Sequence, residues 1–213
     1  MVINKDVVFL HLQKCGGTFV KHVLEDNLSA VNVRPEHNGY LDIVAPHKSK
    51  FIFGTVRNPY SWYVSLYHKH RKNDKSYMKS LFAGDPEFSE WVQRFINIKK
   101  GYIHDMNFNQ ISSLDIGPYT YRTMNCYGLE RTPSSADEIK FADIEYIKME
   151  NLNPELSRIL KPYASEEICK MIISKEKIHT GKHDHYSVYY TPETLELVAH
   201  KDRIIFDQWG YDK

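Results

Sequence analysis

Val7-Val-Phe-Leu-His-Leu-Gln-Lys-Cys-Gly-Gly-Thr18 decides how this chain is read. Val7 to Leu12 is a short apolar run with β-branched content, which predicts a buried strand. Gly16-Gly17 breaks it. From Thr18 to Asn27 the apolar residues Phe19, Val20, Val23 and Leu24 fall at helical spacing. The expected unit is strand, glycine loop, helix. Such a unit aims backbone N–H groups at one point, where the helix dipole adds positive potential, and so holds an anion. Lys14 supplies a full charge. Gly16 and Gly17 let the backbone approach the ligand closely, and Thr18 offers a hydroxyl as well as its N–H.

Outward from this unit the pattern repeats. Phe51-Ile-Phe-Gly-Thr-Val56 predicts a second buried strand. Asn58-Pro59 follows as N-cap and first helical residue, predicting a helix to about Arg71. Asp85-Pro86 repeats the start signal, and Phe88, Trp91, Val92, Phe95 and Ile96 form one apolar face. Residues 101–135 carry Gly, Pro, Asn and Ser with little periodicity, and are expected to be a substrate-facing loop region or a long connection. Tyr146-Ile-Lys-Met149 is a weak strand. Helices are expected from Asn153-Pro154 to Leu160, from Ser165, and from Thr191-Pro192-Glu193 to about Arg203. Buried strands alternating with helices predict one α/β domain over residues 1–213, a central parallel sheet flanked by helices.

Composition narrows the function. Of the 213 residues, 42% are hydrophobic and 13% aromatic, enough to bury a sizeable core. Fifteen tyrosines suggest that some line a cleft for a flat or sugar-like ligand, although ordinary packing accounts for most. A net charge of +1 sets up no global field for nucleic acid, so any anion site must be local. No run approaches the roughly 18 apolar residues of a membrane span. The N-terminus lacks a signal peptide's basic and long apolar regions, and Cys15, Cys126 and Cys169 are odd in number and widely spaced. A cytoplasmic protein in a reducing compartment is expected.

Two common uses of an anion loop do not match. The nucleotide loop G-x-x-x-x-G-K-[ST] has its lysine after the glycines, whereas Lys14 precedes them. A phosphatase using Cys15 as nucleophile needs an arginine six residues on, and that position is Lys21. A second anion anchor does stand out. Arg57 ends the second strand, and Ser61 and Ser65 share one face of the following helix. Arg57 gives a guanidinium fork and Ser65 a short donor, a suitable pair for a terminal phosphate monoester.

His11-Leu-Gln-Lys-Cys-Gly-Gly-Thr18 resembles the 5′-phosphosulfate loop of the carbohydrate sulfotransferases, H-x-P-K-T-G-G-T, with Gln13 and Cys15 departing from it. Arg57-Asn-Pro-Tyr-Ser-Trp-Tyr-Val-Ser-Leu-Tyr67 is similar to that family's 3′-phosphate motif, R-N-P-x-x-R-x-x-S-x-Y. Arg57, Ser65 and Tyr67 carry over, while Trp62 replaces the second arginine. Glu150-Asn-Leu152, Tyr189-Tyr-Thr-Pro-Glu193, Asp202, Asp207 and Gly210-Tyr211 look like later family segments. The resemblance implies a P-loop-like fold. It further implies 3′-phosphoadenylyl sulfate as donor, adenosine 3′,5′-bisphosphate as product, a hydroxyl acceptor of carbohydrate type, and no metal. Lys14, Cys15, Gly16, Gly17 and Thr18 would hold the 5′-phosphosulfate, and Arg57 and Ser65 the 3′-phosphate. A loop that closes over the donor in such enzymes is matched to Thr180-Gly-Lys-His-Asp-His-Tyr186, with Lys182 as ligand.

Sulfuryl transfer needs a base for the acceptor hydroxyl and positive charge at the leaving oxygen. Lys14 suits the second role. The family places a catalytic His or Glu between the two motifs, and Arg34-Pro-Glu-His-Asn-Gly39 resembles its histidine-bearing loop. His37 is the expected base, followed by Glu36 and His47. His179, His183 and His185 have ligand-like spacing, but Gly181 interrupts any helical pair and no cysteine pair accompanies them. A nucleotide-dependent kinase and a non-catalytic nucleotide-binding relative remain the alternatives.

Overall fold

A computed structural model describes residues 1–34, 37–73, 76–175 and 183–213. In chain order the strands are β1 (Val2–Ile3), β2 (Val7–Leu10), β3 (Val31–Asn32), β4 (Phe51–Val56), β5 (Tyr102–Ile103), β6 (Met106–Asn107) and β7 (Glu145–Lys148). The α-helices are α1 (Gly17–Leu28), α2 (Pro59–Arg71), α3 (Phe88–Ile96), α4 (Phe108–Ser113), α5 (Pro118–Tyr127), α6 (Leu152–Leu160), α7 (Glu166–Ser174), α8 (Pro192–Lys201) and α9 (Arg203–Trp209). The fold is α/β, and its contacts divide it into two compact units.

The first unit comprises Met1–Arg57, Met124–Glu130 and Lys140–Thr180. It holds a five-stranded sheet in the order β3-β1-β2-β4-β7. The sheet is mixed, which corrects the expectation of a parallel one. β2, β4 and β7 run parallel, with Val7 opposite Phe51 and Phe53 opposite Glu145. β1 pairs antiparallel with both β2 and β3. The cause is local. Asn4 Oδ1 accepts the N–H groups of Asp6 (2.8 Å) and Val7 (2.7 Å), an Asx turn that folds the N-terminal run back on itself. β1 and β2 thereby form a hairpin.

Alternation in the strands sends Val2, Val7, Phe9, Phe53 and Ile147 to one face. There they meet Phe19, Val20, Val23 and Leu24 of α1, and Leu152, Leu156, Ile159 and Leu160 of α6, with Ile172 of α7. Each such large side chain contributes about 1.5–3 kcal/mol by leaving water. Polar ties fix the register of α7 on α6: Ser157 Oγ donates to the Cys169 carbonyl (3.1 Å) and Asn153 Nδ2 to that of Lys175 (2.8 Å). Gly54 lies on the sheet's other face. A Cβ there would sit 2.6 Å from the Tyr127 ring, so the glycine admits that ring flat against the strand.

The second unit comprises Asn58–Thr123, Arg131–Ile139 and Gly181–Lys213, and is mainly helical. Asn58 caps α2 by accepting the Ser61 N–H (3.3 Å). Trp62 stacks on Tyr119 at 4.7 Å between ring centres, and Trp91 packs against Tyr67 and Phe95. Residues 101–135, expected as loop, instead form the β5–β6 hairpin, α4 and α5. The buried face of α5 is partly polar: Thr120 and Thr123 are fully buried and satisfied by hydrogen bonds, so no apolar period marks the helix. Many tyrosines are likewise buried hydrogen-bonding residues. Tyr63 donates to Asp202 (2.7 Å) and Tyr67 to the Pro86 carbonyl (3.0 Å).

Candidate active site

The site in the first unit starts where β2 ends. His11 to Gly16 leave the carboxyl end of the strand and turn into α1, the position where parallel sheets present their crevices. Two loop residues adopt left-handed backbone: Lys14 at φ 66 and Gly16, the N-cap of α1, at φ 79. For a lysine this conformation costs energy and is held only by its surroundings. Part of that hold is Arg57, whose Nη1 donates to the Lys14 carbonyl (3.1 Å). The N–H groups of Gly17 and Thr18 begin α1 and have no intrahelical acceptor.

The two glycines also meet a packing demand behind the loop. A Cβ on Gly16 would fall 2.7 Å from a Leu152 methyl. One on Gly17 would fall 1.8 Å from the His11 ring. Their small size thus seats the loop against α6 and against the imidazole. Cys15 is fully buried, and its thiol points to the Gln13 carbonyl (3.6 Å). The side chain fills the loop interior, so Cys15 can face a ligand only through its backbone. Thr18 is exposed.

His37 is tied to this same loop. Its Nδ1 lies 2.9 Å from the His11 carbonyl oxygen, and the two rings meet edge to face at 4.9 Å. A carbonyl only accepts, so the neutral ring is assigned its proton on Nδ1 and a lone pair on Nε2. His11 is 6% exposed and stacks behind on Phe9, at 5.9 Å. The rear wall is closed by Tyr127, whose hydroxyl accepts from the Thr55 N–H (3.0 Å) and lies within bonding reach of the carbonyls of Thr55 (2.7 Å) and Leu10 (3.4 Å). It fills the gap where β2 and β4 part. Burial pushes the Tyr127 hydroxyl well above the usual phenol range, so it stays neutral.

Among the residues expected from sequence, Lys14, Cys15, Gly16, Gly17, Thr18, His37 and Arg57 all belong to this unit. Ser65 lies on α2 in the second unit and is 9% exposed. Trp62 and Tyr67 of the same helix are core residues. Lys182, Glu36 and His179 lie outside the described residues. His47 sits on a single 3₁₀ turn at Ala45–His47, its buried Nδ1 without a partner among the described residues. The residues that sequence reasoning passed over are the positioning role of His11 and the whole of Tyr127. Gly54, a glycine inside a strand, was the available signal for a close-packed ring.

Among the described residues, no group of three or more His, Cys, Asp or Glu is placed to hold a metal, and no helix is long and apolar enough to cross a membrane. No protein-family model, curated protein or solved structure matches this chain.

Proposed function

We propose that this chain is a P-loop-like sulfotransferase that moves a sulfuryl group from 3′-phosphoadenylyl sulfate to a hydroxyl, with a carbohydrate as the acceptor class. The observation that carries the reading is the joining of a histidine to the anion loop: His37 Nδ1 is held by the carbonyl of the loop's first residue. A simple anion-binding loop has no use for an oriented base. A group transfer to a hydroxyl does.

The donor's charges fit the residues present. The N–H groups of Gly17 and Thr18, the α1 dipole and Lys14 are suited to the 5′-phosphosulfate, and Arg57 at the end of β4 to a second phosphate. His37 Nε2 takes the proton from the acceptor hydroxyl as its oxygen bonds to sulfur. Lys14 and the helix N–H groups stabilise the charge growing on the phosphate oxygen as the S–O bond to it breaks. Adenosine 3′,5′-bisphosphate leaves, and the histidine returns its proton to water. No step calls for a metal ion. Three cysteines without disulfide-like spacing support a cytoplasmic setting.

A turnover assay tests this. Release of adenosine 3′,5′-bisphosphate from the donor is followed with desulfated polysaccharides and with tyrosine peptides as acceptors. Acceptor-dependent release on the polysaccharides, falling by about 10²-fold or more in His37→Ala, is expected for a general base. Release that His37→Ala leaves unchanged would remove His37 from the mechanism. No release with any hydroxyl acceptor would leave only nucleotide binding.

A further inference from the structure

Residues 183–190 run as a strap over α2 and α3 within the second unit. Most of it is anchored by aromatic packing. Tyr186 stacks on Tyr60 at 5.4 Å, and Tyr190 packs edge-on against Tyr60 (5.2 Å) and Phe88 (4.8 Å). The Tyr190 hydroxyl donates to the Tyr60 carbonyl (3.0 Å), and Ser89 Oγ donates to that of Tyr189 (3.1 Å). The N-terminal end is held differently. There the His183 ring lies flat on the His68 ring of α2, 5.2 Å between centres and 14° between planes. Tyr189 closes over the same His68 ring edge-on at 5.2 Å.

His68 is poorly placed to carry charge. It is half-buried, and its Nε2 is fully buried with no partner among the described residues. Arg71 and Lys72 face it from its own chain segment, and His183, Asp184 and Tyr189 from the strap, with Tyr67 perpendicular to it at 5.2 Å. Further along the strap, His185 Nδ1 accepts the Ser187 N–H (3.4 Å). Only Asp184 among these favours a cation, and it is exposed.

We propose that the His68–His183 stack is a pH-operated latch: neutral rings hold the strap on α2, and protonation at mildly acidic pH releases its His183 end. A proton on His68 Nε2 would be a buried N–H with no acceptor. A second proton, on His183, would set two cations face to face beside Arg71 and Lys72. Burial, then the neighbouring His183, Arg71 and Lys72, hold the His68 imidazole below its ordinary value of 6.5. A lowered native value means that the docked strap is fully favoured above pH 6.5 and loses that contribution as pH falls through the native value. The Tyr186 and Tyr190 anchors carry no such group against α2, so release is confined to one end. The latch does not depend on the donor reading of the first unit.

Amide hydrogen exchange on the full chain tests it. The amides of Asp184, which donates to the Tyr189 hydroxyl (3.1 Å), and of Tyr189, which donates to the Tyr186 carbonyl (3.0 Å), report the two ends of the strap. After correction for intrinsic rates, Asp184 protection should fall about tenfold between pH 7.5 and 5.5, a change of about one pKa unit's worth of energy. Tyr189 protection should change less. His183→Phe keeps a flat ring but removes the second cation, so the fall in Asp184 protection should shrink, while buried His68 keeps its own share of it. His183 is only half-buried, so this variant is expected to fold, with the near-ultraviolet dichroism of the three tryptophans as check. Equal Asp184 protection at both pH values in the unaltered protein, or an undiminished fall in His183→Phe, would overturn the latch.

Discussion

The sheet unit and the helical unit each turn on one fully buried polar side chain, and the two are built differently. In the first, Tyr127 sets a neutral hydroxyl between Leu10 and Thr55, where β2 and β4 part. In the second, Asp202 sets a carboxylate between α8 and α9. It accepts from Tyr63 (2.7 Å) and from both the N–H and the hydroxyl of Thr120 (2.8 and 2.7 Å). Gly117 makes room for it, since a Cβ there would lie 2.4 Å from the carboxylate oxygens. The phenol costs little to bury because it never ionises. The carboxylate is expensive: burial raises it from its ordinary 3.8 to about 6 in spite of its donors. Buried polar structure is thus held in one unit without charge, and in the other by a carboxylate that opposes its own burial.

This contrast is broken most strongly at Asp202. Asp202→Ala strands the Tyr63 hydroxyl and the Thr120 N–H in the interior, and should cost about 3 kcal/mol or more in denaturant unfolding. The pH dependence has a definite sign. The native value, about 6, lies above the ordinary 3.8, so the folded state binds the extra proton between them. The contribution is complete below 3.8 and is lost as pH rises through 6. Unfolding free energy from this group should therefore fall by up to about 3 kcal/mol across that window. Asp202→Asn should flatten that slope. A slope of the same size in the asparagine variant would show that another group sets it.

In the first unit the largest effect is expected at Gly17. Gly17→Ala drives a methyl group into the His11 ring, and should cost about 1–3 kcal/mol by overpacking. It should also weaken bisphosphate binding, because His11 and the loop must shift together. Tyr127→Phe removes one hydroxyl and leaves the Thr55 backbone unsatisfied, for about 1–2 kcal/mol. The cost of this substitution should not change between pH 4 and 7, unlike that of Asp202→Ala. Smallest is Lys170→Ala, which breaks an exposed pair with Glu166 (2.8 Å) on α7. Less than about 0.5 kcal/mol is expected, the usual worth of such a pair.

Much of this was legible in the sequence where one physical rule acted alone. The β2–loop–α1 unit and the Asn58-capped α2 follow from apolar period and capping residues, and both lie where expected. The antiparallel β1 was hidden because it is only two residues long and is turned back on β2 by one side chain, Asn4. The α5 helix was hidden because its buried face uses Thr120 and Thr123, which satisfy their polarity only through partners distant in sequence or one turn back. The same limit applied to the candidate site. Lys14, the glycines and Arg57 could be read from spacing. The packing demand on Gly17, a ring from residue 11 lying on its Cα, could not, since it depends on where His11 points once the strand ends. Tyr127 closes the site from 117 residues away from Leu10, and no local pattern carries that information.

The central claim is that the loop from His11 to Thr18 and Arg57 form the donor site of a sulfuryl transfer. Titration calorimetry tests it most directly, comparing adenosine 3′,5′-bisphosphate with ADP and with ATP–magnesium. The account predicts that the bisphosphate binds more tightly than either, and that Arg57→Ala weakens it by about tenfold or more, the worth of a charge-assisted contact of about 1.5–3 kcal/mol. Binding of ATP–magnesium equal to or tighter than that of the bisphosphate would contradict it.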